Sequence, residues 1–122
     1  MKNGTTKHTV LVVEDEEDLR EMIREALELN GYAVVIAEYG REALARLSGI
    51  EHLCLALIDL LMPGMNGWDL FHELGRRSEL AGVPIVVYSS VAGRAPKGAT
   101  RVLQKPLSFR ELLATVREYC AA

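Results

Sequence analysis

Several side chains that can bind a metal ion or act as nucleophiles come directly after short apolar runs of this sequence. The run TVLVV is followed by Glu14 and Asp15, and LCLALI is followed by Asp59. The run PIVVY is followed by Ser89, and RVLQ is followed by Lys105. Three carboxylates, a hydroxyl and an ammonium group therefore all lie at the C-terminal end of an apolar run.

This set of groups is typical of phosphoryl transfer. Asp59 has only apolar neighbours in sequence, and an aspartate is rarely buried without a partner. Neighbouring carboxylates repel each other unless a cation neutralises them, and an all-oxygen site suits a hard ion such as Mg²⁺. An aspartate can attack phosphorus to form an aspartyl phosphate. A purely structural interpretation, in which Asp59 caps the next turn, is weakened by the acids Glu14 and Asp15.

The apolar runs alternate with amphipathic segments, which predicts a repeated strand–helix order. Strands are predicted at 9–13, 32–38, 53–60, 83–90 and 101–106, and helices at 16–30, 40–48, 68–77 and 108–120. Such an order indicates an α/β domain with a mostly parallel sheet and helices on both faces. Ligands of such sheets bind at the carboxyl ends of the strands, where all five polar groups lie.

The segment between the fourth and fifth predicted strands departs from this order. Residues 91–100 read VAGRAPKGAT, with Pro96 in the middle. Proline disrupts a helix interior, so we expect a loop or a single turn in place of a fourth crossover helix.

Composition limits the classes of function. The chain has 122 residues and a net charge of -3, which fits one domain and gives no electrostatic case for direct binding to nucleic acid. No apolar run approaches the roughly 20 residues that span a membrane, and the first residues lack a signal peptide. We therefore expect a cytoplasmic protein without membrane contact, in which Cys54 and Cys120 are reduced thiols.

Taken together and in order, four motifs resemble the receiver domain of two-component response regulators. They are VLVVEDEEDLR, the Asp of LIDLLMPGMNG, the Ser after PIVVY and the KP of LQKP. The resemblance extends from about Thr9 to Tyr119. It implies a flavodoxin-like, doubly wound sheet of five parallel strands in the order 2-1-3-4-5, with the fourth helix shortened or missing. We expect residues 1–122 to form a single receiver domain without an output domain.

The resemblance also implies a phosphoacceptor and a metal site. Asp59 matches the phosphoacceptor, and Asp15 matches a direct metal ligand. Glu14 would act through a water molecule or as a second acid, and the backbone carbonyl of Leu61 would be a further ligand. The implied ion is Mg²⁺ or Mn²⁺.

Two further positions match the groups that contact the phosphoryl oxygens in this family. Ser89 matches the switch hydroxyl, and Lys105 matches the lysine that pairs with the acyl phosphate. The peptide bond before Pro106 is expected to be cis. The position that usually carries the aromatic partner of the switch is Val102, and Tyr88 is expected to point to the other side of its strand. The usual switch between a hydroxyl and an aromatic ring therefore cannot operate unchanged.

The sequence thus predicts a phosphoacceptor module of a two-component system or phosphorelay, and not an enzyme. Its partners would be a histidine kinase or histidine phosphotransfer protein and an unidentified downstream protein. The first alternative is a receiver-like scaffold that signals without phosphorylation. A phosphatase with an aspartyl nucleophile is disfavoured, because related enzymes need a second Asp where this chain has Leu61.

Overall fold

Strands and helices alternate along most of the chain. The structure is a computed structural model that describes residues 8–60, 66–90 and 96–120. The elements are β1 (Thr9–Val13), α1 (Glu17–Leu29), β2 (Ala33–Ala37), α2 (Gly40–Arg46), β3 (Leu53–Asp59), α3 (Gly67–Gly75), β4 (Ile85–Ser89), β5 (Arg101–Gln104) and α4 (Phe109–Tyr119). Single 3-10 turns follow α2 and α3. The predicted order of elements is confirmed, with boundaries displaced by a few residues.

The five strands form one parallel sheet in the order β2-β1-β3-β4-β5, as the resemblance implied. The pairing sets Val13 beside Ile58, and Asp59 beside Tyr88. Ser89 pairs with Gln104 of β5. Because all neighbours are parallel, the residues that end β1, β3, β4 and β5 meet at one edge of the sheet.

Two apolar clusters cover the two faces of the sheet. Successive strand residues alternate between them: Val87 belongs to the cluster that includes residues of α2 and α3, and Tyr88 to the one that includes residues of α1 and α4. Strands β1 and β4 are buried throughout, which is expected for a parallel sheet with helices on both faces. This burial makes the sheet a rigid support for the polar groups at its carboxyl edge.

Two helices that follow the functional strands begin at side-chain caps. The Asn66 side chain accepts a hydrogen bond from the Asp69 backbone N–H at 2.9 Å, at the start of α3. The Ser108 hydroxyl accepts one from the Glu111 backbone N–H at 3.2 Å, at the start of α4. Such caps satisfy N–H groups that the first turn of a helix leaves free.

The connection between β4 and β5 contains no helix within residues 96–100, which form a turn. Gly98 lies in this turn with a φ of 97°, a conformation that side-chain-bearing residues rarely adopt. Residues 91–95 lie outside the described ranges. The expected loss of the fourth crossover helix is therefore confirmed where the connection is described.

The prediction of two reduced thiols is wrong. Cys54 and Cys120 form a disulfide with a Cα–Cα distance of 5.4 Å, which lies in the usual range for such a bond. Cys54 lies near the start of β3, and Cys120 follows the end of α4, which runs back along the sheet. The two residues are 66 positions apart, so only the tertiary packing of α4 brings them together and no local pattern reveals it.

The longest described helix, α1, has 13 residues. Within the described ranges, no helix combines the length and the apolar character needed to cross a membrane.

Candidate functional site

Three carboxylates converge at the carboxyl edge of the sheet. Glu14 and Asp15 follow β1, and Asp59 ends β3, the strand paired with β1. One carboxylate oxygen from each of the three lies within 4.8 Å of the other two. Glu14 and Asp59 are each only 1% exposed, while Asp15 is partly buried. The predicted acidic cluster therefore forms, and most of its charge is shielded from water.

Lys105 provides positive charge beside Asp59. Its Nζ lies 3.1 Å from Asp59 Oδ2, and its side chain is 28% exposed. The Lys105 backbone N–H donates to the Ser89 carbonyl at 3.0 Å, which continues the pairing of β5 with β4. The bond between Lys105 and Pro106 is cis, as the resemblance implied. The lysine is thus held by the sheet where it reaches the buried carboxylate.

Ser89 ends β4 and is completely buried. Its neighbour Tyr88 is the residue that pairs with Asp59 across the sheet. Ser89 therefore lies one residue beyond the level of Asp59 and next to the start of the lysine segment. The role of Ser89 as the switch hydroxyl stays a prediction.

Glu14 is held by three residues through hydrogen bonds. The Glu16 backbone N–H donates to its Oε2 at 2.8 Å, and the Tyr88 hydroxyl donates to its Oε1. An Arg20 guanidinium N–H donates to the Glu14 backbone carbonyl at 3.1 Å. Both side-chain oxygens of this acid are therefore engaged by the protein itself.

The electrostatics of Glu14 favour a nearby cation. Burial is the main cause that raises the pKa of Glu14, and the Asp59 carboxylate raises it further. The hydrogen bonds from Tyr88 and Glu16 lower that pKa and oppose the effect of burial. A positive ion between the carboxylates would favour their charged forms in the same way.

Tyr88 is a residue of the site that the sequence interpretation did not include. It lies on the opposite side of its strand from Val87, yet its hydroxyl reaches the Glu14 carboxylate. Burial, followed by the negative charge of Glu14, raises the pKa of the Tyr88 phenol far above its ordinary value. The group therefore stays protonated and acts as a donor. The sequence feature that could have identified Tyr88 is its place in the apolar run PIVVY, because the hydroxyl of a buried tyrosine usually has a hydrogen-bond partner.

Gly67 allows α3 to approach the residue after Asp59 closely. The Gly67 backbone N–H donates to the Leu60 carbonyl at 2.9 Å. A Cβ on Gly67 would lie 2.4 Å from the Leu60 Cα and 2.7 Å from the Asp59 carbonyl oxygen, which is far too close for any side chain. This helix start consequently requires a glycine and fixes the backbone that carries Asp59.

The donor set fits a hard divalent cation. It consists of carboxylate oxygens only, it is largely buried, and it carries more negative charge than Lys105 can offset. Hard ions such as Mg²⁺ prefer oxygen ligands. The expected fourth ligand, the backbone carbonyl of Leu61, lies outside the described residues.

A family comparison identifies the domain. The profile described as "Response regulator receiver domain" matches residues 10–117. The chain belongs to this family. The match covers the acidic residues, Asp59, Ser89 and Lys105, and it confirms the resemblance seen in the sequence.

The curated relatives are named as regulators. A probable transcriptional regulatory protein of Picosynechococcus is 38% identical over 93% of this chain and 49% of its own length. The response regulator MprA of Mycolicibacterium vanbaalenii is 36% identical over 88% of the chain and 48% of its own length. The chain thus spans about half the length of the curated relatives it matches.

Solved structures confirm the fold. The chemotaxis protein CheY4 of Vibrio cholerae superimposes with a TM-score of 0.83 at 29% identity, over 93% of this chain and 99% of that protein's chain. The receiver domain of the hybrid histidine kinase CckA superimposes with a TM-score of 0.79 at 28% identity, over 91% and 97% of the respective chains. The five-stranded, CheY-like α/β architecture is therefore shared along nearly the whole chain.

Proposed function

We propose that this receiver domain accepts a phosphoryl group on Asp59 and passes the signal on through a changed surface. The observation that carries the proposal is the contact of 3.1 Å between the buried Asp59 carboxylate and Lys105 Nζ. Two more carboxylates lie beside it. A nucleophile, a cation and an acidic cluster at the end of parallel strands form an arrangement suited to phosphoryl transfer.

The transfer would proceed by displacement at phosphorus. An Asp59 carboxylate oxygen attacks the phosphorus of a phosphohistidine, so that a P–O bond forms while the P–N bond breaks. The imidazole leaves with the electron pair of that bond. Lys105 would neutralise a phosphoryl oxygen, and the Ser89 hydroxyl would donate a hydrogen bond to another. The protein thus supplies the nucleophile and charge stabilisation.

Glu14, Asp15 and Asp59 would hold Mg²⁺ or Mn²⁺, together with the Leu61 carbonyl. When bound, the ion supplies positive charge that offsets the carboxylates and the phosphoryl oxygens. The protein's own part is to hold the acids on adjacent strands. Glu14 is fixed by Tyr88 and Glu16, and we assign it contact through a water molecule.

The phosphoryl donor would be a histidine kinase or a histidine phosphotransfer protein. We infer that the domain acts as a phosphoacceptor in the cytoplasm, without turning over a substrate, and that its output is read by another protein or domain. One curated relative is named as a probable transcriptional regulatory protein, and this chain spans about half of its length. We assign this domain itself no direct contact with nucleic acid. The full-length coding sequence would show whether an output domain accompanies it.

The test is phosphorylation by acetyl phosphate with Mg²⁺, followed by intact mass spectrometry. We expect the wild-type protein to gain one phosphoryl group and Asp59→Asn to gain none. Asp69→Asn changes an exposed carboxylate of α3 and serves as the matched control, which should react like the wild type. An unreactive wild type, or an Asp59→Asn variant that still gains the group, would refute the proposal.

A scaffold that signals without phosphorylation remains the second candidate because of Val102. This residue is 38% exposed on β5, where the family usually has the aromatic side chain of its switch. Measuring Mg²⁺ affinity by calorimetry separates the two candidates, because a scaffold of this kind would bind Mg²⁺ only weakly.

A further inference from the structure

Tyr88 links the acidic cluster to the far strands of the sheet through one side chain. Its hydroxyl donates to Glu14 Oε1 on the β1 side. Its ring centroid lies 5.2 Å from Lys105 Nζ on the β5 side. Tyr88 is completely buried in the middle of the sheet, so neither contact results from a loose surface side chain.

The phenol hydroxyl is not needed to fill the core. A phenylalanine would occupy nearly the same space within the cluster that includes Leu103 and Leu112. A buried hydroxyl is costly unless it has a partner, and here the partner is a carboxylate of the acidic cluster. The hydroxyl therefore has a specific polar role at Glu14.

Glu14 needs such a donor because it is only 1% exposed. The Glu16 backbone N–H occupies Oε2, and Tyr88 supplies the donor at Oε1. With both oxygens held from the protein side, the carboxylate cannot rotate freely toward or away from its acidic neighbours. Tyr88 lies on β4, two strands away from β1 in the sheet, and its hydroxyl thus helps to fix the position of Glu14 relative to Asp15 and Asp59.

We propose that Tyr88 is a positioning residue of the metal site, which fixes the Glu14 carboxylate for Mg²⁺ binding through its hydroxyl. The inference rests on the proposed function, because it assumes that the acidic cluster holds Mg²⁺. Groups that orient metal ligands or their water molecules commonly change metal affinity about 10- to 100-fold when they are removed.

The test compares Mg²⁺ binding by calorimetry at one fixed pH. Tyr88→Phe keeps the ring and removes the hydroxyl, so we expect Mg²⁺ to bind about tenfold more weakly. Tyr32→Phe is the matched control, since Tyr32 is 5% exposed in the same apolar cluster. The Mg²⁺ affinity of this variant should stay within about twofold of that of the wild type. Equal or tighter Mg²⁺ binding by Tyr88→Phe would overturn the inference.

A double-variant cycle shows whether Tyr88 acts through Glu14. In a Glu14→Gln background, adding Tyr88→Phe should weaken Mg²⁺ binding much less than it does alone, because the carboxylate to be fixed is gone. Full additivity of the two effects would contradict a positioning role. Tyr32→Phe should have the same small effect in both backgrounds.

A measurement on the unsubstituted sequence covers the case in which Tyr88→Phe does not fold. The protein is labelled with 3-fluorotyrosine, and ¹⁹F spectra are recorded as Mg²⁺ is added. The Tyr88 resonance should shift much more than that of Tyr32, and a Tyr88 resonance that does not respond overturns the inference. If the wild-type protein binds no Mg²⁺ at all, the proposed function itself fails. Wild-type binding with an unaffected Tyr88→Phe variant refutes only the role of Tyr88.

Discussion

The two edges of the sheet are held together by opposite kinds of chemistry. At the carboxyl edge, Asp59 and Lys105 form an ion pair and Tyr88 donates to Glu14. Near the amino edge, the covalent bond between Cys54 and Cys120 joins β3 to the end of α4. The first edge gathers like charges that repel each other, and the second adds a cross-link that restricts the unfolded chain.

This difference separates stability from chemistry within one small domain. Burying Glu14 and Asp59 together opposes folding unless a cation or a donor compensates. Such a local conflict is expected at a functional site, and other parts of the fold must offset it. Changes at the amino edge should therefore alter stability without altering Mg²⁺ binding, and changes at the carboxyl edge should alter binding.

The largest effect is expected from reducing the disulfide. The bond closes a loop with a sequence separation of 66, so reduction should lower the free energy of unfolding by roughly 2–4 kcal/mol. Denaturant unfolding with and without reductant measures this difference. Mg²⁺ affinity should stay within about twofold, because the bond is remote from the acidic cluster.

A double variant with Cys54→Ser and Cys120→Ser is the control for the reductant. Its stability should not respond to reduction. Alkylation of the unreduced protein followed by intact mass spectrometry should show no modified thiol. Two alkylated cysteines under these conditions would contradict the disulfide and restore the expectation from the sequence.

The next largest effect is expected from Gly67→Ala at the carboxyl edge. The added Cβ would meet the backbone of Leu60 at 2.4 Å, so α3 must move away from the segment that carries Asp59. We expect a loss of about 1–3 kcal/mol in stability together with weaker Mg²⁺ binding. Thermal unfolding and calorimetry measure the two effects.

Gly75→Ala is the matched control because Gly75 ends the same helix with open space around it. It should leave Mg²⁺ binding unchanged and stability equal or slightly higher, since alanine favours a helix over glycine. If Gly67→Ala behaves like Gly75→Ala, the close contact between α3 and the Asp59 segment does not support the site.

The sequence predicted the carboxyl edge far better than the amino edge. Asp59 and Lys105 could be placed because strand ends are recognisable in sequence and parallel strands end at one edge. The disulfide could not be predicted, since it depends on how α4 packs against β3.

Tyr88 was missed for a related reason. The alternation of side chains gives the face of a strand, but it does not give the reach of a long side chain toward the next strand. The contact with Glu14 depends on the register across β1, β3 and β4. That register is a property of the folded sheet and not of any one segment.

The smallest change in Mg²⁺ affinity, on the order of 1 kcal/mol, is expected from Lys105→Met. Removing the ammonium group takes away a positive charge that repels a metal ion, so Mg²⁺ should bind roughly three- to tenfold more tightly. Asp59 is left buried without this partner at 3.1 Å, so the metal-free protein should also become less stable. Beryllofluoride is anionic and should bind more weakly, because Lys105 no longer offsets its negative charge.

Lys97→Met is the control because Lys97 is an exposed lysine, and it should change none of these quantities. Weaker Mg²⁺ binding in Lys105→Met would show that Lys105 organises the carboxylates more than it repels the metal.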